Sequence, residues 1–164
     1  MTKLTICQYP DAALSTPCMP VTTFNAELST LADNLYETMK AAPGVGITAA
    51  HCGIFLRLVV LDLAELGGRR NFVNPEILSH SEEMMTHVEG SVSMPGFTDE
   101  LQRPRRVTVR YQTLDGTPTE EALEGFPAIC MQHEIDQLDG IFWLKRLSRL
   151  KRDRLVKRFE KADR

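Results

Sequence analysis

None of the four cysteines, Cys7, Cys18, Cys52 and Cys130, stands in a C-x-x-C or zinc-knuckle spacing, so neither a zinc finger nor a secreted disulfide framework is indicated. The stretch Met1 to Pro10 lacks the apolar run of a signal peptide, and no later segment approaches the length of a membrane span. A cytoplasmic protein is expected, with neither a membrane nor DNA as partner. Gly44-Val45-Gly46 is a lone G-x-G. No strand is read before it, no third glycine follows in register and no Gly-Lys-Ser closes it, which argues against a phosphate loop. A dense run of small residues instead lets a backbone come close to a neighbouring strand or a ligand.

What is present suits a globular chain. At 164 residues, with 43% hydrophobic and 25% charged side chains, one domain spanning 1–164 can bury a core without disulfides. The net charge of -3 is unevenly placed: Lys145 to Arg164 carries ten Lys and Arg against three acidic residues, +7, which leaves -10 for the rest. Such a tail is either a solvated helix face or a docking surface for an anionic partner such as ribosomal RNA.

Along the chain, Pro10, Pro17 and Pro20 make residues 1–24 an extended lead-in. Leu28, Leu31, Leu35 and Met39 recur at helical spacing, with Asn25 as N-cap and Pro43-Gly44 as terminator. Phe55 to Leu63 reads as a buried strand. Asn71 to Pro75 and Ile77 to Glu89 read as two more. Arg106 to Tyr111 alternates, and Asp115-Gly116 turns it into a Thr117 to Leu123 partner. Pro127 opens the next helix, a short strand follows it, and Ser148 to Asp163 forms a charged last helix with Leu150, Leu155, Val156 and Phe159 as its apolar stripe. This order predicts an α+β domain in which antiparallel sheet packs on a central helix.

That central helix carries the chemistry. Gln132-His133-Glu134-Ile135-Asp136-Gln137 begins like the H-E-x-x-H zinc signature, in which two imidazoles four residues apart face one metal and the Glu acts as base; here the fourth position is Gln137. An ordinary amphipathic helix with Ile135 and Leu138 inward and His133 hydrogen-bonded in the core is the alternative from this stretch alone.

Three segments together resemble the peptide deformylase family. Gly44-Val45-Gly46-Ile47-Thr48-Ala49-Ala50-His51 is similar to its Gly-x-Gly-Leu-Ala-Ala-x-Gln motif, Glu89-Gly90-Ser91-Val92-Ser93 to Glu-Gly-Cys-Leu-Ser, and Gln132 to Gly140 to Gln-His-Glu-x-Asp-His-Leu-x-Gly. Tyr9-Pro10-Asp11, Pro20-Val21, Arg103-Pro104 and Leu147 to Arg152 extend the likeness over nearly the whole chain. The resemblance implies a peptide-deformylase-like α+β fold, antiparallel sheets around the His-Glu helix with a C-terminal helix, and removal of the formyl group from N-formylmethionyl chains. It also implies a divalent metal held by a Cys and two His, a Glu that moves the proton and a Gln that stabilises the oxyanion. Position by position, these become Ser91, His133, Gln137, Glu134 and His51.

Three of those five positions have changed. A neutral serine hydroxyl and a glutamine amide are weak ligands beside a thiolate and an imidazole. Losing two of four ligands from a site worth about 10–16 kcal/mol weakens binding by about 5–8 kcal/mol, or roughly 10⁴- to 10⁶-fold. No cofactor is therefore expected. Divalent iron, zinc or nickel is expected only if His51 moves in beside His133 and Glu134 to rewire the site; Ser91 as a nucleophile with His51 or His133 as base is a further alternative. The resemblance places catalysis on Glu134 and His51, and a pocket for a formylated or methionine-led N-terminus on Val45, Gly46, Ile47, Glu89, Gly90, Phe126, Ile129 and Cys130. Cys130 itself reads as a small buried hydrophobe.

Overall fold

The computed structural model describes residues 2–162. Its helices are α1 (Ala26–Ala41), α2 (Phe126–Leu138) and α3 (Arg149–Ala162), and its strands are β1 (Gly46–Thr48), β2 (Leu58–Leu63), β3 (Gly68–His80), β4 (Met84–Glu89), β5 (Asp99–Pro104), β6 (Arg106–Gln112) and β7 (Pro118–Glu124). The strands form an antiparallel five-stranded sheet, β1-β2-β3-β6-β7, and a separate β4-β5 hairpin. The fold is the expected α+β arrangement, with α1 on one face of the large sheet and α2 on the other.

β2 shows why two helices are needed. Leu58 and Val60 pack with α1 residues Leu28, Ala32, Leu35 and Met39; Val59, Leu61 and Leu63 pack with α2 residues Ala128, Met131, Ile135 and Leu138. The period-2 alternation of a strand sends its apolar run to both faces. Those five β2 side chains are 3% exposed or less, and each contributes about 1.5–3 kcal/mol of burial. A third cluster joins Leu14, Met94, Leu101 and the Phe142–Leu147 segment to α3 through Leu155.

Local signals behave as their chemistry dictates. Asn25 Oδ1 accepts the Leu28 N–H at 3.1 Å, capping α1. Gly116, at φ 89°, closes the β6-β7 hairpin, and Val107, Val109 and Tyr111 are its buried face.

Several boundaries differ from expectation. Residues 1–24 are largely extended but contain one turn of 3₁₀ helix, Ala12–Ser15. β2 begins at Leu58 rather than Phe55. β3 runs through Pro75 because that residue sits at a bulge against β6, where a missing N–H costs no ladder bond; the break falls instead at 81–83. β5 carried too little apolar periodicity to be seen. The expected short strand after α2 is a 3₁₀ turn, Trp143–Arg146. In α3, Leu150 is 62% exposed while Leu155 is fully buried, since five residues at about 100° each put them some 140° apart on the helix. Asp163, the expected end of that helix, and Arg164 lie outside the described residues.

Candidate functional site

Phe126, Ile129, Cys130, His133 and Glu134 recur at i, i+3, i+4, i+7 and i+8, so one face of α2 presents them together. This face is one wall of a cleft of about 360 Å³ whose other walls are the Ala42–Gly46 segment, with His51 beyond it, and the stretch from Val88 through Thr98. Of the expected residues, Val45, Gly46, His51, Glu89, Gly90, Ser91, Phe126, Ile129, Cys130, His133 and Glu134 all line it.

Two expected residues do not. Ile47 is fully buried on the opposite side of β1, packed with α1, because neighbouring residues of a strand face opposite ways. Gln137 is 1% exposed, and its Nε2 donates to the Leu14 carbonyl at 2.8 Å, tying α2 to the 3₁₀ turn before it. Sequence reading had missed Val92, Met94, Pro95 and Phe97, which contribute apolar surface. Pro95-Gly96 signals a turn there, but no period marks which side chains face inward.

Behind His133 lies a chain of alternating charges. His133 Nδ1 is 2.9 Å from Glu89 Oε1; Arg103 reaches Glu89 through Nε at 2.6 Å and Nη2 at 3.0 Å, and Asp136 through Nη1 at 2.8 Å. Asp136 in turn accepts from Arg146 Nε at 3.0 Å and Nη2 at 2.8 Å. Burial alone would raise the Glu89 carboxyl, but the hydrogen bonds from His133 and Arg103 outweigh it and hold the group below the ordinary carboxylate range. An ionised Glu89 only accepts, so the Nδ1 proton belongs to His133. No sequence pattern had assigned Arg103, Asp136 or Arg146 a role; their pairing is long-range, and only the fold brings it about.

His51 is held differently. Thr48 and His51 form a reciprocal cap on the Ala49–Cys52 turn: the Thr48 N–H donates to His51 Nδ1 at 2.9 Å, and the His51 N–H donates to Thr48 Oγ1 at 3.3 Å. Burial, then the charge of His133, push the imidazole down to about 3, so it is neutral at physiological pH. Glu134 is 4% exposed, and burial raises it to about 7, with Glu89 adding to the rise. Its Oε1 and the His51 Nε2 are buried without a hydrogen-bond partner. Gly46 is required beside it, since a Cβ there would lie 2.6 Å from Glu134 Oε2. Burial likewise pushes the Cys130 thiol far up, leaving it an inert apolar wall.

The Glu134 shift makes a prediction with a definite sign. Between the ordinary 4.5 and about 7, folded Glu134 keeps a proton that the unfolded chain has released, so stability falls as pH rises through this window. Glu134→Gln removes that slope. Measured by urea unfolding, the stability of Glu134→Gln relative to the parent should rise by about 3 kcal/mol between pH 4.5 and pH 8. Parallel curves for the two proteins would show that the carboxyl is not held protonated.

Ser91, His133 and Gln137 occupy the positions of a metal-binding triad by resemblance, but the Ser91 hydroxyl accepts from the Ser93 N–H at 3.1 Å and the Gln137 amide points to Leu14. Among the described residues no three His, Cys, Asp or Glu side chains group so as to hold a metal ion. None of the described helices is long and apolar enough to cross a membrane.

The fold and the cleft define an α+β domain whose His-Glu helix forms one wall of the candidate site. The polypeptide deformylase family model matches residues 3–153. A peptide deformylase-like protein of Agrobacterium fabrum is 62% identical over 157 residues, spanning 96% of this chain and 95% of that protein; a peptide deformylase of Nitrobacter hamburgensis is 46% identical, spanning 93% and 91%. The crystal structure of peptide deformylase from Ehrlichia chaffeensis in complex with actinonin superposes with a TM-score of 0.93 at 34% identity, covering 100% of this chain and 99% of that one. The chain belongs to the peptide deformylase family.

Proposed function

We propose that this protein is a peptide-deformylase-like domain that binds a formylated or methionine-led peptide N-terminus and has lost, or greatly reduced, metal-dependent deformylation. The observation that carries the reading is the Gln137 side chain, whose amide is committed to the Leu14 carbonyl in a 1% exposed position. Ser91 and Gln137 do not fit a ferrous, zinc or nickel ion, since an unionised hydroxyl and a carboxamide are weak donors to all three. Substrate features are better preserved. Val45, Phe126, Ile129 and Cys130, with Val92, Met94 and Phe97, suit a methionine side chain, and Gly46, Glu89 and Gly90 border the cleft where an extended peptide pairs strand-fashion.

A second reading, an active hydrolase built on His51, His133 and Glu134, is favoured by the two unpartnered atoms, His51 Nε2 and Glu134 Oε1, on the same cleft. Metal analysis of protein purified without chelator, run beside a formyl-Met-peptide turnover assay, separates the two. The first reading expects peptide binding with no bound metal and no turnover. Stoichiometric metal with turnover would establish the second.

The proposed setting is cytoplasmic, with α3 as the ribosome-facing element. Arg149, Arg154 and Arg158 on this helix are exposed. Removing residues 148–163 should abolish salt-dependent co-sedimentation with ribosomes; unchanged co-sedimentation would assign the helix to solvation alone.

A further inference from the structure

The imidazole of α2 is set up as a base as well as a wall of the cleft. Glu89 accepts the Nδ1 hydrogen of His133 at 2.9 Å, so the neutral ring carries its one hydrogen there and keeps a lone pair on Nε2. Arg103 holds both oxygens of Glu89, at 2.6 Å and 3.0 Å, and through them the orientation of the ring. Two residues beyond Glu89, Ser91 lines the same cleft. Its Oγ accepts from the Ser93 N–H at 3.1 Å, which fixes the oxygen and leaves its own hydrogen to donate. A carboxylate that orients an imidazole on the same cleft as a serine hydroxyl is the working set of a hydrolytic triad, recognised by roles and not by order in the chain. No hydrogen bond joins Ser91 to His133 in this structure, and such a bond commonly tightens only when substrate is held between nucleophile and base.

The geometry points to a further activity, metal-independent hydrolysis of carboxylic esters through an acyl-enzyme, with Ser91 as nucleophile, His133 as base and Glu89 as the positioning residue for His133. Ser91 Oγ bonds to the acyl carbon while its proton passes to His133 Nε2. The carbon–oxygen bond to the alcohol then breaks, and Nε2 returns the proton to the departing oxygen. Water next attacks the Ser91 ester and gives a proton to Nε2; the Ser91 oxygen takes that proton back as the acid leaves. The sum is ester plus water giving acid plus alcohol, with nothing oxidised or reduced. Esters are favoured over amides because an alcohol oxygen departs more readily than an amide nitrogen. The apolar walls at Val45, Phe126 and Ile129 suit an ester carrying an apolar group. This activity goes beyond the peptide-binding reading and does not depend on it.

The test treats the full chain, held in EDTA, with phenylmethanesulfonyl fluoride and, separately, with para-nitrophenyl acetate. The first reagent should add one sulfonyl group per chain as Ser91 Oγ displaces fluoride, and peptide mass mapping should place it on Ser91. The ester should be turned over at a rate that EDTA does not alter. Ser91→Ala should lose both reactions. His133→Gln should slow both by about 10²- to 10⁴-fold, the range of a positioned general base. Glu89→Gln should lower kcat for the ester with KM unchanged, a split that a merely loosened cleft would not give. The mapped label on the parent decides the matter should a variant fail to fold. No label, a label on another residue, ester turnover undiminished in Ser91→Ala, or turnover that EDTA abolishes overturns the inference. Peptide binding is measured separately, so any of these results would leave that reading standing.

Discussion

Replacing Ser91 by Cys and Gln137 by His in the same chain is expected to raise its affinity for zinc by about 10⁴- to 10⁶-fold, the value of two ligands at roughly 3 kcal/mol each. The surroundings already suit such a change. His133 is oriented by Glu89 at 2.9 Å, and Glu89 is held by Arg103, which is the outer support that metal-binding imidazoles ordinarily need. Against the gain stands loss of the Gln137 bond to Leu14, a cost of about 0.5–1.5 kcal/mol, too small to cancel it. Competition titrations against a chelator of known affinity, on the parent, both single variants and the pair, measure the effect. If the pair binds no more tightly than the parent, the cleft has diverged beyond these two side chains and the positional correspondence is too literal.

The second large effect concerns stability. Arg103→Met is expected to cost about 3–5 kcal/mol, because it leaves two buried carboxylates, Glu89 and Asp136, without the cation that joins them. For a chain of this size that is a fall in Tm of roughly 10–15 °C. Arg106→Met is the control. Its side chain is 49% exposed and pairs with Glu83 and Glu124, both also exposed, so its loss should cost under about 0.5 kcal/mol. Equal Tm values for the two variants would mean that water or Arg146 compensates the buried carboxylates and that the charge chain is not a structural unit. The Arg103 effect should weaken in acid: Glu89 titrates below its ordinary range, so its contribution is present above that range and is lost as the folded group takes up its proton.

Most of the cleft could be read from the chain because its residues lie on elements with a period. The 126, 129, 130, 133, 134 spacing identifies one helix face without any coordinates. The same period misleads one turn further on. Gln137 lies eleven residues after Phe126, nominally the same face, yet Leu14 approaches there and captures the amide. Ile47 failed for the complementary reason. A motif match treats adjacent residues as one unit, whereas strand geometry sends Gly46 to the cleft and Ile47 to α1.

By itself the sequence determined the kind of domain, its helices and most strands, and most of the side chains that line the cleft, since these depend on local period, caps and turns. Only the tertiary structure decided what those side chains do. Gln137 is spent on a distant carbonyl, His51 Nδ1 accepts from the Thr48 N–H, and Glu89 is kept ionised by hydrogen bonds from His133 and from Arg103 of another strand. Hydrogen-bond partners and desolvation are properties of neighbours in space, and no periodicity along the chain encodes them.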